Sequence, residues 1–235
     1  MFIEEYFTES ALGIQFSRQQ GCQFAKKIAD DFNPIHNTDA KRFCIPGDLL
    51  FSVILAKAGL YQKMDFTFTG MVTENIDLKF PTEINDHFAI VDNNNKEYLD
   101  VKASGERSKD DALVDALTKA YVAFSGHTFP HILVDLMAKN NVMINPARPM
   151  VMYQKMSIEL NHFDATEVEL KLSNSTLDHN GKRGQACLYF DLLANGEVIG
   201  QGKKEMMLSG LREYCADSMI ALVEDYENVK KQYKL

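Results

Sequence analysis

Hydrophobic positions along the chain follow two different periods. In "GDLLFSVILAKAGL" (47–60), Leu49, Leu50, Phe51, Val53, Ile54, Leu55 and Leu60 leave no polar face. A helix that is apolar all round belongs in an interior. The pattern predicts a buried helix opened by Gly47, with Asp48 as N-cap and Gly59 near its end. Upstream, "SRQQ" (17–20) is a capping box, and Phe24 and Ile28 recur at helical spacing, which predicts a helix over 17–29. It runs out at Asp30–Asp31, because Pro34 cannot continue it. Beyond residue 60 the period becomes two. In "NIDLKFP" (75–81) Ile76, Leu78 and Phe80 alternate with Asp77 and Lys79. Further strands are predicted at 87–93, 97–105 and 117–126, with a polar loop at 106–112.

The second half repeats this order. "FPHILVDLMAKNN" (129–141) reads as an apolar helix with Pro130 in its first turn. "PMVMYQKMSIEL" (149–160) parallels "GMVTENIDLKF" (70–80), and "TEVELKLSN" (166–174) parallels "HFAIVDN" (87–93). "GQACLYFDLLANGE" (184–197) parallels "EYLDVKASGE" (97–106), and "GQGKKEMMLSG" (200–210) parallels "ALTKAYVAFSG" (116–126). A helix is predicted within 218–235. A sheet wrapped around one apolar helix hides the helix, and the helix hides one sheet face. The economical reading is an α+β chain built as a tandem hotdog, with halves at 1–127 and 128–235.

Composition narrows the function. The chain has 235 residues and a net charge of −8, with no cluster of Lys and Arg, which argues against nucleic acid. The acidic start "MFIEEYFTES" is unlike a signal peptide, and no apolar run has the length to span a bilayer. Four scattered cysteines without CxxC spacing predict reduced thiols in a cytoplasmic protein. The eleven methionines suit core filling or an adaptable acyl tunnel.

The chemistry concentrates in "DDFNPIH" (30–36) and the glycine at 47. Pro34 fixes its own φ and drives Asn33 toward an extended conformation, so the loop is stiff. A stiff loop holds Asp31 and His36 at a set separation, where a carboxylate and an imidazole can share one water and exchange its proton. A backbone N–H at Gly47, aided by the helix dipole, can polarise a carbonyl oxygen. Such a site adds water to an activated double bond, or removes it. A turn in which Asp31 and Asn33 bond their own backbone is the structural alternative. His127 and His131 have the spacing of metal ligands but lack a third ligand, and read as two unconnected histidines; Cys44 reads as a small core residue.

"DDFNPIH", the glycine-opened apolar helix and "IDLKFPTEINDHF" (76–88) together resemble the MaoC-like family of (R)-specific enoyl-CoA hydratases and 3-hydroxyacyl dehydratases. That family's hallmark is glycine–aspartate–x–asparagine–proline–aliphatic–histidine. The resemblance covers residues 17–92. It implies Asp31 and His36 as the catalytic pair, Asn33 as a loop-fixing or substrate-orienting residue, and the Gly47 amide as donor to a thioester carbonyl. It also implies an acyl thioester on coenzyme A or an acyl carrier protein, and neither metal nor cofactor. Three features depart from the family. Asp30 stands at the hallmark glycine, Asp48 replaces an apolar residue, and the segment 37–46 is short. The second half has no counterpart of "NPIH", which predicts one site per chain. Two other readings are a non-catalytic acyl-thioester or lipid-binding module and a hotdog thioesterase. Monomer and homodimer are both compatible with the pattern.

Overall fold

A computed structural model describes residues 1–80 and 85–234. A short hairpin of β1 (Thr8–Ser10) and β2 (Gly13–Gln15) leads into α1 (Arg18–Gln23), followed by α2 (Gly47–Ala58). Next come β3 (Leu60–Phe68), β4 (His87–Val91), β5 (Glu97–Ser108), α3 (Asp111–Gly126) and α4 (Leu133–Lys139). The second half contains β6 (Val142–Met143), β7 (Val151–Leu160), β8 (Glu169–Asn180), β9 (Arg183–Ala194), β10 (Glu197–Ser209), β11 (Arg212–Glu213) and α5 (Ala216–Lys234).

The architecture is α+β. One seven-stranded sheet runs β4-β5-β3-β7-β10-β9-β8, with every pair antiparallel. The two halves meet where β3 pairs with β7, from Lys63 opposite Glu159 to Thr67 opposite Lys155. Alternation along β3 turns Met64 and Phe66 inward and Lys63 and Asp65 outward. Rings tie α2 and α3 to the inner face. Phe51 of α2 meets Phe66 of β3 at 5.1 Å and Tyr121 of α3 at 4.7 Å, and Tyr121 meets Phe190 of β9 at 5.9 Å. Each such fully buried ring contributes about 1.5–3 kcal/mol. The other face is solvated. It carries an open groove of about 530 Å³ among Lys63, Asp65, Glu159, Tyr189, Asp191 and Lys203, none of them in the 30–47 constellation.

Several expectations are met. The Ser17 capping box is complete, and α1 passes through a wider turn, Phe24–Ile28, before ending. Helix α2 is buried on nearly every turn, and Gly59 closes it at φ +80°. Met137, Met143, Met206 and Met219 fill a second apolar cluster under α4 and α5, so these methionines are core.

Others are corrected. Residues 117–126 are not a strand, and the 106–112 segment is not a loop. Strand β5 continues to Ser108, Asp110 caps the next helix by accepting from Leu113 N–H, and α3 follows. Leu113, Val114, Leu117, Tyr121, Val122 and Ser125 are buried at helical spacing, which overrides the short alternation within "YVAFSG". The first half therefore lacks a counterpart of β10, and β3 pairs directly with β5. Among its described residues, "NIDLKFP" contributes only isolated bridges, Leu78 to Ile14 and Lys79 to Val91. Residues 81–84 of the adjoining proline turn, and Leu235 of the last predicted helix, lie outside the described residues. Pro130 precedes α4 in a kinked segment, where Phe129 has extended angles, rather than occupying its first turn.

At the end of α3, Gly126 lies against the Ala29 carbonyl so closely that a Cβ would overlap that oxygen. Backbone atoms cannot swing aside as a flexible side chain does. Gly126→Ala is expected to cost about 3 kcal/mol or more, toward the upper end of overpacking penalties, measured by urea denaturation against the unaltered protein.

Candidate functional site

The 30–36 loop begins at Asp30, which has φ +54°. Left-handed backbone favours glycine, with Asp among the side chains that tolerate it. Asp30 thus adopts a conformation that glycine favours. Asp31 Oδ1 then accepts from Asn33 N–H at 2.9 Å, and Asn33 Oδ1 accepts from Ile35 N–H at 3.1 Å. These are the predicted backbone-capping turns, and Pro34–His36 forms one 3-10 turn behind them. Asn33 is therefore engaged in fixing the loop.

The turn leaves one oxygen of Asp31 for chemistry. His36 Nδ1 donates to the Cys44 carbonyl at 2.7 Å, and a carbonyl only accepts, so Nδ1 carries the proton. Nε2 lies 3.7 Å from Asp31 Oδ2. That gap is too long for a direct hydrogen bond. It is short enough for one water to touch both groups. Both side chains reach solvent, His36 at 12% and Asp31 at 31% exposure.

The short 37–46 segment is folded back rather than open. Cys44 N–H bonds the Ile35 carbonyl and Ile45 N–H bonds the Val72 carbonyl. Arg18 donates to the carbonyls of Thr38 and Ala40, pairs with Glu74 at 2.7 Å, and lies over the Phe43 ring. This brace carries the chain from His36 to Gly47, the first residue of α2. A first-turn N–H has no partner within its own helix, which leaves the Gly47 amide available to a ligand. The room spared by its missing side chain is already taken. A Cβ there would come within 2.9 Å of Tyr153 Cδ1 and 3.1 Å of Phe68 Cε1.

Asp48 is not the N-cap. Pro46 occupies that position, and the Asp48 carboxylate turns into the protein. Its Oδ2 accepts from Ser125 Oγ at 2.5 Å, and the same hydroxyl accepts from Lys204 Nζ. The Lys204 ammonium also lies 4.6 Å from the centre of the Tyr153 ring, whose hydroxyl bonds that of Tyr121. Burial pushes the Asp48 carboxyl up, opposed by the Lys204 charge, and pushes the Lys204 amine down, opposed by Asp48 and Asp31. Burial likewise holds the Tyr121 and Tyr153 phenols well above their ordinary range. The Asp48 carboxyl is thus linked through Ser125 to a buried lysine.

Lys204, Ser125, Tyr121 and Tyr153 are absent from the residues that the sequence nominates. One signal was available for Lys204. On β10 the inward positions are Lys204, Met206 and Leu208, so the second lysine of "GQGKK" is in phase with the core while Lys203 faces out to Glu205. Ser125 stands one turn from Tyr121 on the buried face of α3.

A clasp from α5 holds the other side of the loop. Tyr226 Oη accepts from Phe32 N–H at 3.0 Å and donates to the Asp30 carbonyl at 3.5 Å. Lys230 pairs with Asp30, and Phe32 packs edge-on against Tyr226 and Tyr233.

The remaining candidates are quiet. Cys44 donates its thiol to the Ile45 carbonyl, and burial pushes its pKa up to about 11, which suits a core residue rather than a nucleophile. His127 and His131 stack at 5.2 Å, and no group of three metal-ligating side chains occurs among the described residues. Among the described residues no helix is long and apolar enough to cross a membrane.

Residues 1–217 match the family described as "Protein of unknown function (DUF3581)". The chain belongs to this family. No curated protein matches it. Among solved structures it is similar to an acyl-CoA thioesterase II, TesB2, from Mycobacterium marinum, at 10% identity and TM-score 0.47, over 92% of this chain and 99% of that one. It is also similar to a conserved protein of unknown function with a hot dog fold from Alicyclobacillus acidocaldarius, at 9% identity and TM-score 0.47, over 89% and 98% of the two chains. An N-terminal dehydratase from the difficidin assembly line overlaps 85% of this chain and 93% of its own, at 11% identity and TM-score 0.34. The family match stops just inside α5, so the helix that clasps the loop lies mostly beyond it.

The buried charges and the clasp each carry an expected outcome. Asp48→Ala leaves Lys204 buried without its carboxylate, and a loss of about 3–5 kcal/mol is expected in urea denaturation, with Asp48→Leu combined with Lys204→Met recovering most of it. Tyr226→Phe keeps the ring and removes the hydroxyl that satisfies Phe32 N–H, and should cost about 1–3 kcal/mol in the same measurement.

Proposed function

We propose that this protein is a hydratase or dehydratase acting on the enoyl or 3-hydroxyacyl thioester of coenzyme A or an acyl carrier protein, on a tandem hotdog scaffold. The observation that carries the reading is the approach of His36 Nε2 and Asp31 Oδ2 to 3.7 Å, within electrostatic reach of Asp48 in the first turn of α2. The pairing of β3 with β7 supports the scaffold, since it joins two helix-and-sheet halves into one sheet without a second chain.

In this mechanism the thioester carbonyl accepts from Gly47 N–H, where the helix dipole favours growing negative charge. A water sits between His36 and Asp31, one hydrogen directed to each. As its oxygen bonds C3 of the enoyl group, its proton passes to Nε2 and the C2–C3 π electrons move toward the carbonyl oxygen. Asp31 stabilises the imidazolium that forms. The imidazolium then returns the proton to C2 on the same face, and the site is restored. Water is added syn, and the reverse path removes it. His36 can play this part because Nδ1–H is held by the Cys44 carbonyl, which leaves Nε2 as the basic nitrogen.

The test is hydration of trans-2-butenoyl-CoA and trans-2-octenoyl-CoA, followed by loss of enoyl absorbance. Asp31→Asn and His36→Ala are each expected to lower the rate about 10²–10⁴-fold with the circular dichroism spectrum unchanged. Hydration that persists undiminished in both variants overturns the assignment. A purified protein that binds these thioesters without turnover favours the binding module instead.

A further inference from the structure

In a site that follows the fatty chain of its substrate, an apolar channel leads away from the reacting carbons. Here the space next to Gly47 is occupied. Phe68 and Tyr153 lie against its Cα, with their rings 4.4 Å apart and 36° from parallel. Both are half-buried, so they form the visible wall of the site. Behind them Tyr121 is fully buried, bonds the Tyr153 hydroxyl and packs on Phe51 and Phe190. Beside that wall lies the hydrogen-bonded series Asp48, Ser125, Lys204. An alkyl chain driven inward would have to wedge the packed rings open and then break the hydrogen bonds that link Asp48, Ser125 and Lys204. Breaking such a group's partnership costs more than the burial of a few methylenes returns.

Resting on the hydratase reading above, we propose that the site takes short acyl groups and excludes medium and long ones, with Phe68, Tyr153 and Tyr121 as its floor. The pair Asp31–His36 does the chemistry, and these three rings set the chain length.

The experiment is isothermal titration calorimetry of the full chain with free coenzyme A, butyryl-CoA and octanoyl-CoA. In an open channel each buried methylene tightens binding about fourfold, so octanoyl-CoA would bind on the order of a hundredfold more tightly than butyryl-CoA. The floor predicts the reverse order: butyryl-CoA tighter than free coenzyme A, and octanoyl-CoA weaker than butyryl-CoA by about tenfold or more. Tyr153→Ala or Phe68→Ala, whichever remains folded by circular dichroism, is expected to raise octanoyl-CoA affinity about tenfold or more and leave free coenzyme A unchanged. Octanoyl-CoA binding as tightly as butyryl-CoA, or more tightly, in the unaltered protein overturns the floor and leaves the hydratase reading standing. Neither acyl thioester binding beyond free coenzyme A overturns both.

Discussion

Helix α2 offers water little beyond Lys57, and its burial is the constraint from which the rest of the structure follows. Such a helix cannot be covered by the strands of its own half alone. Helix α3 and the inner residues of β3 and β9 close around it through Phe51, Phe66, Tyr121 and Phe190. With the helix fixed, its N-terminus is fixed too, at the end of the folded-back segment that carries His36. The candidate site is therefore a by-product of the core. The proposed catalytic geometry is built where the least soluble element of the chain begins.

Polarity re-enters the interior at that same point, where Asp48 Oδ2 is bonded to Ser125 and Oδ1 is buried without a hydrogen-bond partner. Asp48, Ser125 and Lys204 come from α2, α3 and β10, three elements distant in sequence. None of the three can be buried cheaply without the others. Their hydrogen bonds tie α2, α3 and β10 together next to Gly47. The Asp31 carboxylate feels the same lysine from outside, so the structural charges and the proposed catalytic ones share one electrostatic neighbourhood.

Local chemistry was legible in the sequence wherever a short segment decides its own conformation. The Ser17 box, the buried helix, the Asp31–Asn33 turns and the inward alternation of Met156, Ile158 and Leu160 all rest on residues within a few positions of each other. The alternation at 117–126 misleads because it is only the tail of a longer pattern, whose burial runs at helical spacing from Leu113 onward. Lys204 was hidden for a different reason. Its phase on β10 was readable, but a lysine is normally a surface residue, and only the third dimension supplies the aspartate that permits it inside. The clasp from α5 could not be read at all, because nothing in "EDYENVKKQYKL" (224–235) refers to a loop 194 residues earlier.

That clasp has a consequence for how the protein is made. On a ribosome, residues 30–36 emerge long before Tyr226 and Lys230 exist. The sheet, the buried helix and most of the loop can assemble as the chain lengthens, while Phe32 and the Asp30 backbone wait for α5. Vectorial synthesis thus leaves the 30–36 loop without its clasp until α5 has emerged.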